Sequence, residues 1–239
     1  MNLLWKQQIH CVLTISLMTC SLTGCVDLSG AKLTPEKKVN YYARKATPKK
    51  LNVHHSTKSQ GEVHTMLGGL GMFSIGMDQV RNDIAKKYKH VSASSNMWYN
   101  AGDVTNSITY YYYKHKTHRP IILMGHSLGA NEQIKVARNL NAAGIPVDLL
   151  VTVDAVSQTI VPPNVKHVLN VYKPGFVPMF SGLKLRAVDS NATKIENINV
   201  NDLKELNVNH FTIDKDKFVQ AMILDEVKKV LIDGDRKGA

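Results

Sequence analysis

Residues 120–130 read Pro120-Ile121-Ile122-Leu123-Met124-Gly125-His126-Ser127-Leu128-Gly129-Ala130, and this stretch decides the fold. The unbroken apolar run at 121–124 suits a strand buried on both faces, because a strand with one wet face would alternate. From 130 to 143 the apolar residues return at helical spacing, until Gly144 and Pro146 stop the helix. A strand, a tight turn and a helix therefore follow one another, with Ser127 on the turn. Glycines at 125 and 129 flank it. Side chains at those places would collide with strand and helix, so glycine is the residue that fits. Ser127 also stands at the helix N-terminus, where unsatisfied N–H groups favour developing negative charge.

Working outward, the chain keeps alternating. Residues 63–67 predict a strand running into the glycine loop Gly68-Gly69-Leu70-Gly71. Residues 77–88 and 104–114 predict helices, the second with Asp103 as a candidate N-cap. Residues 90–94, 147–153 and 165–172 predict further strands, and 218–232 a terminal amphipathic helix. Fully apolar central strands interleaved with helices argue an α/β fold: a mostly parallel sheet with helices on both faces.

The N-terminus predicts a compartment. Lys6 precedes a short apolar run at 9–18, which falls short of the roughly 20 residues that a membrane-spanning helix needs. The run ends in Leu22-Thr23-Gly24-Cys25, which resembles the lipobox of bacterial lipoproteins. That resemblance implies a signal peptide over 1–24, cleavage before Cys25, and acylation (palmitate among the chains) of the cysteine. It also implies the outer membrane of the bacterial cell envelope where the host has one, because Val26 follows where aspartate often marks inner-membrane retention. Cys11 and Cys20 lie in the segment to be removed, so the remaining chain cannot form an internal disulfide. Residues 25–50 are basic and without apolar period, and read as a membrane tether or a merely solvated linker. Residues 51–239 hold the folded domain. The net charge of +11 favours anionic partners; no nucleic-acid motif or Arg-rich tract accompanies it, which leaves membrane head groups and acidic polysaccharide ahead of nucleic acid.

The pentapeptide Gly125-His126-Ser127-Leu128-Gly129 has the G-x-S-x-G form of a nucleophile elbow, in the strand–turn–helix context that form requires. The run PIILMGHSLGA resembles the elbow of bacterial lipases and esterases of the α/β-hydrolase superfamily, and a looser likeness extends over about residues 63–223. The resemblance implies a compact α/β-hydrolase-like domain with little or no cap domain, and a Ser–acid–His order along the chain. Ser127 is then the nucleophile. His210, the last histidine and just ahead of the terminal helix, is the base. Asp154, ending the strand after the nucleophile helix, is the favoured acid, with Asp189 its competitor. The oxyanion hole would use the amide of Leu128 and one from the glycine loop, Leu70 before Gly69. Leu67 stands where many lipases carry a histidine, so that second donor is the least determined.

The implied activity is hydrolysis of an ester, lipid or thioester through an acyl-enzyme, with no metal or organic cofactor. A non-catalytic envelope lipoprotein, and an acyltransferase or peptidase with the same triad, are the alternatives. His126 lies inside the turn and reads as a packing residue. His54, His55 and His64 lack a zinc spacing. The apolar loop 174–180 suits either an acyl pocket or ordinary packing.

Overall fold

Six strands form one sheet, every neighbouring pair parallel. The computed structural model describes residues 61–69, 71–115, 118–204 and 206–237, with side chains described as far as 232. The expected signal peptide (1–24), the tether (25–50), Cys25, His54, His55 and Leu70 lie outside the described residues. The strands are β1 (Gly61–Leu67), β2 (Val91–Met97), β3 (Ile121–His126), β4 (Val147–Val153), β6 (Val165–Tyr172) and β8 (Lys194–Asn199), and they lie side by side in the order β2-β1-β3-β4-β6-β8. Two short strands, β5 (Ile160–Val161) and β7 (Arg186–Ala187), pair separately. The helices are α1 (Ile75–Lys87), α2 (Ala101–Lys114), α3 (Leu128–Ala142) and α4 (Lys217–Lys237).

The continuous apolar runs act as the two-sided burial argument requires. Ile121 and Leu123 face one layer, with Val104 and Ile108 of α2 and Ile134 and Leu140 of α3. Ile122 and Met124 face the other, with Met77, Val80 and Ile84 of α1 and Val219, Ile223 and Val227 of α4. Each such fully buried aliphatic side chain contributes roughly 1.5–3 kcal/mol relative to exposure. The fold is thus an α/β sandwich, a parallel sheet between two helical layers.

The strand order reverses between β1 and β3. Parallel crossovers are right-handed, so a reversal of direction sends α1 to one face and α2 and α3 to the other. A crevice opens at such a point beyond the carboxyl ends of the strands. The elbow stands there, at the end of β3.

Three expectations differ in detail. Asp103 does not cap α2: a 3-10 turn at Trp98–Asn100 leads in, Asn100 is the N-cap, and Asp103 sits within the first turn. The strand expected at 90–94 runs on to Met97. No strand was expected between Tyr172 and His210, yet β8 forms the sheet edge. Its sequence, Lys-Ile-Glu-Asn-Ile-Asn, has no fully buried residue and so lacks the apolar run that marks a central strand. A polar ladder ties it in instead. Thr152 Oγ1 donates to Asn170 Oδ1 (2.8 Å), and Asn170 Nδ2 donates to Asn197 Oδ1 (2.8 Å).

Candidate active site

Ser127 is the N-cap of α3, at φ 58° and ψ −124°. Left-handed backbone at a non-glycine residue costs on the order of 1–3 kcal/mol and persists only where surroundings enforce it. Here they do. The Ser127 N–H donates to Val153 O (2.9 Å), and the N–H groups of Ala130 and Asn131 donate to Ser127 O. The flanking glycines answer to contacts on both sides. A Cβ on Gly125 would lie 2.5 Å from the carbonyl oxygen of Gly129, and one on Gly129 would overlap the Met66 carbonyl of β1.

The three side chains expected to cooperate meet in one line. Ser127 Oγ is 2.9 Å from His210 Nε2, and His210 Nδ1 is 3.0 Å from Asp154 Oδ2. The carboxylate can only accept, so Nδ1 carries the proton and Nε2 accepts from the serine hydroxyl. Asp154 is fully buried and His210 nearly so. Asp189 does not join them. It is exposed, and its Oδ1 accepts the Asn191 N–H within a turn.

Asp154 is built in from several sides. Its φ is 50°, and its N–H donates to Val171 O. Its Oδ1 accepts the Lys173 N–H at 2.6 Å. Gly182 packs so closely on that oxygen that a Cβ there would overlap it. From α3, Asn131 Oδ1 accepts the N–H groups of Val156 (3.0 Å) and Ser157 (3.2 Å), fixing the chain just beyond the acid. Lys173 Nζ donates to Val208 O (2.6 Å), two residues before the histidine.

His126 is more than packing. Its Nε2 lies 2.8 Å from His210 O and its Nδ1 2.8 Å from Ser74 Oγ, and the Gly68 N–H donates to that same Oγ at 3.0 Å. Burial pushes its pKa down to about 3, with His210 adding to the effect. The ring is therefore neutral at ordinary pH. Among the loop amides, Gly68 is committed to Ser74. Gly69 adopts φ 51° with open space where a Cβ would stand, and its carbonyl accepts Trp98 Nε1–H (2.9 Å). Leu128 is the first residue of α3, where helix geometry gives its N–H no intrahelical acceptor.

Similar solved structures include the following two. One is the NocB thioesterase domain from the Nocardicin cluster, 11% identical, with a TM-score of 0.42 over 72% of this chain and 94% of that one. The other is a cutinase-like protein from Cryptococcus sp., 15% identical, with a TM-score of 0.44 over 74% of this chain and 97% of that one. No family model matches the chain, and no curated protein does. Neither likeness transfers an activity.

Around the Ser127–His210 pair the surface is aromatic. Phe180 and Phe211 pack on the His210 ring with centroids 5.4 and 5.5 Å away, and Phe73 packs on Phe211 at 5.1 Å. The loops bearing Phe73 and Phe180 also expose Met72, Phe176 and Val177, as the first residue of α1 exposes Ile75, and residues 71–76 and 174–182 contain no charged side chain. Sequence reasoning named the 174–180 loop but missed Phe73, Ser74, Asn131 and Gly182. A serine or phenylalanine in a glycine-rich loop, or an asparagine on a helix, has no neighbouring pattern that marks it.

Proposed function

We propose that this protein is a serine hydrolase that cleaves an ester or thioester of an apolar acyl group, held at the bacterial envelope by lipid on Cys25. The single observation that carries this reading is the hydrogen-bonded order Asp154–His210–Ser127, with the serine on a strained turn at a helix N-terminus. His210 takes the Ser127 proton as Oγ attacks the carbonyl carbon. The tetrahedral oxyanion faces the Leu128 amide and a second amide from the glycine loop, Leu70 or Gly69. Collapse breaks the bond to the alcohol or thiol, which leaves with the proton from His210. Water, deprotonated by the same imidazole, then releases the acid and frees the serine. The uncharged aromatic rim supports an apolar acyl group over a charged one. The chemistry assigned here needs no metal or organic cofactor.

The test is turnover of short- and long-chain nitrophenyl esters together with covalent labelling by a fluorophosphonate, which requires an activated serine. The wild-type chain is expected to do both, with longer acyl chains preferred. Ser127→Ala should lose roughly 10⁶-fold in kcat and all labelling, with its thermal midpoint nearly unchanged. A folded wild-type protein that neither labels nor hydrolyses favours a non-catalytic envelope protein and overturns the reading.

A further inference from the structure

We propose that His126 is a positioning residue, which fixes the main chain of the base His210 and ties it to the glycine loop that faces the nucleophile. The inference rests on the hydrolase reading and adds to it a group the acyl-transfer steps do not use.

The geometry carries it. A carbonyl oxygen only accepts, so the contact to His210 O requires a proton on His126 Nε2. A neutral imidazole then has its lone pair on Nδ1, where it accepts the Ser74 hydroxyl proton. Ser74 Oγ in turn accepts the Gly68 N–H. The result is one directed chain, Gly68 to Ser74 to His126 to His210, buried along its length. It joins the loop after β1, the end of β3 and the loop before α4. The two histidine rings lie 5.1 Å apart between centroids. Asp154 fixes the far nitrogen of the base, while His126 fixes its backbone, and a side chain is placed only when both are set.

An apolar residue of the same size would pack as well as His126. It would leave the His210 carbonyl and the Ser74 hydroxyl buried without partners, and buried polar groups are paired as a rule. Protonation would break the chain by removing the acceptor at Nδ1, and the low pKa of this ring prevents it.

The full chain carrying His126→Phe keeps a ring and removes both hydrogen bonds; His126→Gln retains a donor and an acceptor. In His126→Phe, kcat and the fluorophosphonate labelling rate should fall about 10–100-fold with KM within about twofold, the scale of a misplaced catalytic group. His126→Gln should recover most of that loss. Ser74→Ala, which shortens the chain without touching the histidine, should fall about 10-fold and stands in if His126→Phe does not fold. Wild-type kcat in His126→Phe or in Ser74→Ala overturns the proposal, and so does a loss that His126→Gln fails to recover. Imidazole NMR separates this from the hydrolase reading, since it needs no turnover. His126 should appear as the neutral Nε2–H tautomer from about pH 5 to pH 8, and His210 resonances should move in His126→Phe but stay in His126→Gln. Unmoved His210 signals in His126→Phe overturn the proposal whether or not the protein hydrolyses anything.

Discussion

At the level of single residues, the favoured acid and its competitor have unlike surroundings. Asp154 is buried against His210, Lys173 and Gly182, whereas Asp189 holds a solvent-facing turn. An acid that orients the histidine and stabilises its charged form is worth on the order of 10⁴ in turnover. Asp154→Asn should therefore lose about that much kcat while remaining folded, and Asp189→Asn should lose little. Steady-state kinetics on one nitrophenyl ester decides it, and equal activities in the two variants would remove Asp154 from the acid role. Ser127, His210 and Asp154 were legible because each sits at a place that topology dictates: a strand end, a turn, a loop ahead of the last helix. Ser74, Asn131 and Gly182 were not, because their work is defined by residues 52, 25 and 28 positions away and nothing in their own neighbourhood encodes it.

Among the elements, those legible in the sequence bury apolar runs, and the one missed in the main sheet is β8, held by asparagine hydrogen bonds. The start of α1 adds a device with no local signature. Asp214, from a 3-10 turn far along the chain, accepts the Gly76 N–H at 2.8 Å, while its other oxygen is buried without a partner. Burial pushes its pKa from the ordinary 3.8 up to about 6, against the opposing pull of the Gly76 hydrogen bond. A carboxyl whose folded pKa is raised favours folding while protonated, and that contribution is lost as pH rises from about 4 through about 6. The thermal midpoint of the wild type, measured relative to Asp214→Asn, should accordingly fall between those limits, because asparagine keeps the shape without the titration. A difference that stays flat from about pH 4 to about pH 7 would dismiss this role for Asp214.

For the whole molecule, the proposed anchor and the net charge of +11 make separable contributions to residence at a membrane. Basic charge is screened by salt, whereas multiple acyl chains are not. In a bacterial host the wild-type chain should stay in the membrane fraction after a high-salt wash. Cys25→Ala should leave that fraction or remain unprocessed, and a variant still processed and salt-resistant would dismiss the lipid anchor. The sheet has a further consequence for biosynthesis. Its strands are all parallel, so each pairing joins segments far apart in sequence, and such folds form slowly. Ser127 and His210 are separated by 83 positions, and the histidine is translated after every strand. Until that late segment docks, the serine is an ordinary alcohol without a base. On the proposed reading a half-made chain is therefore chemically harmless, and reactivity switches on only when the segment bearing His210 has been synthesised and has closed over the strand ends.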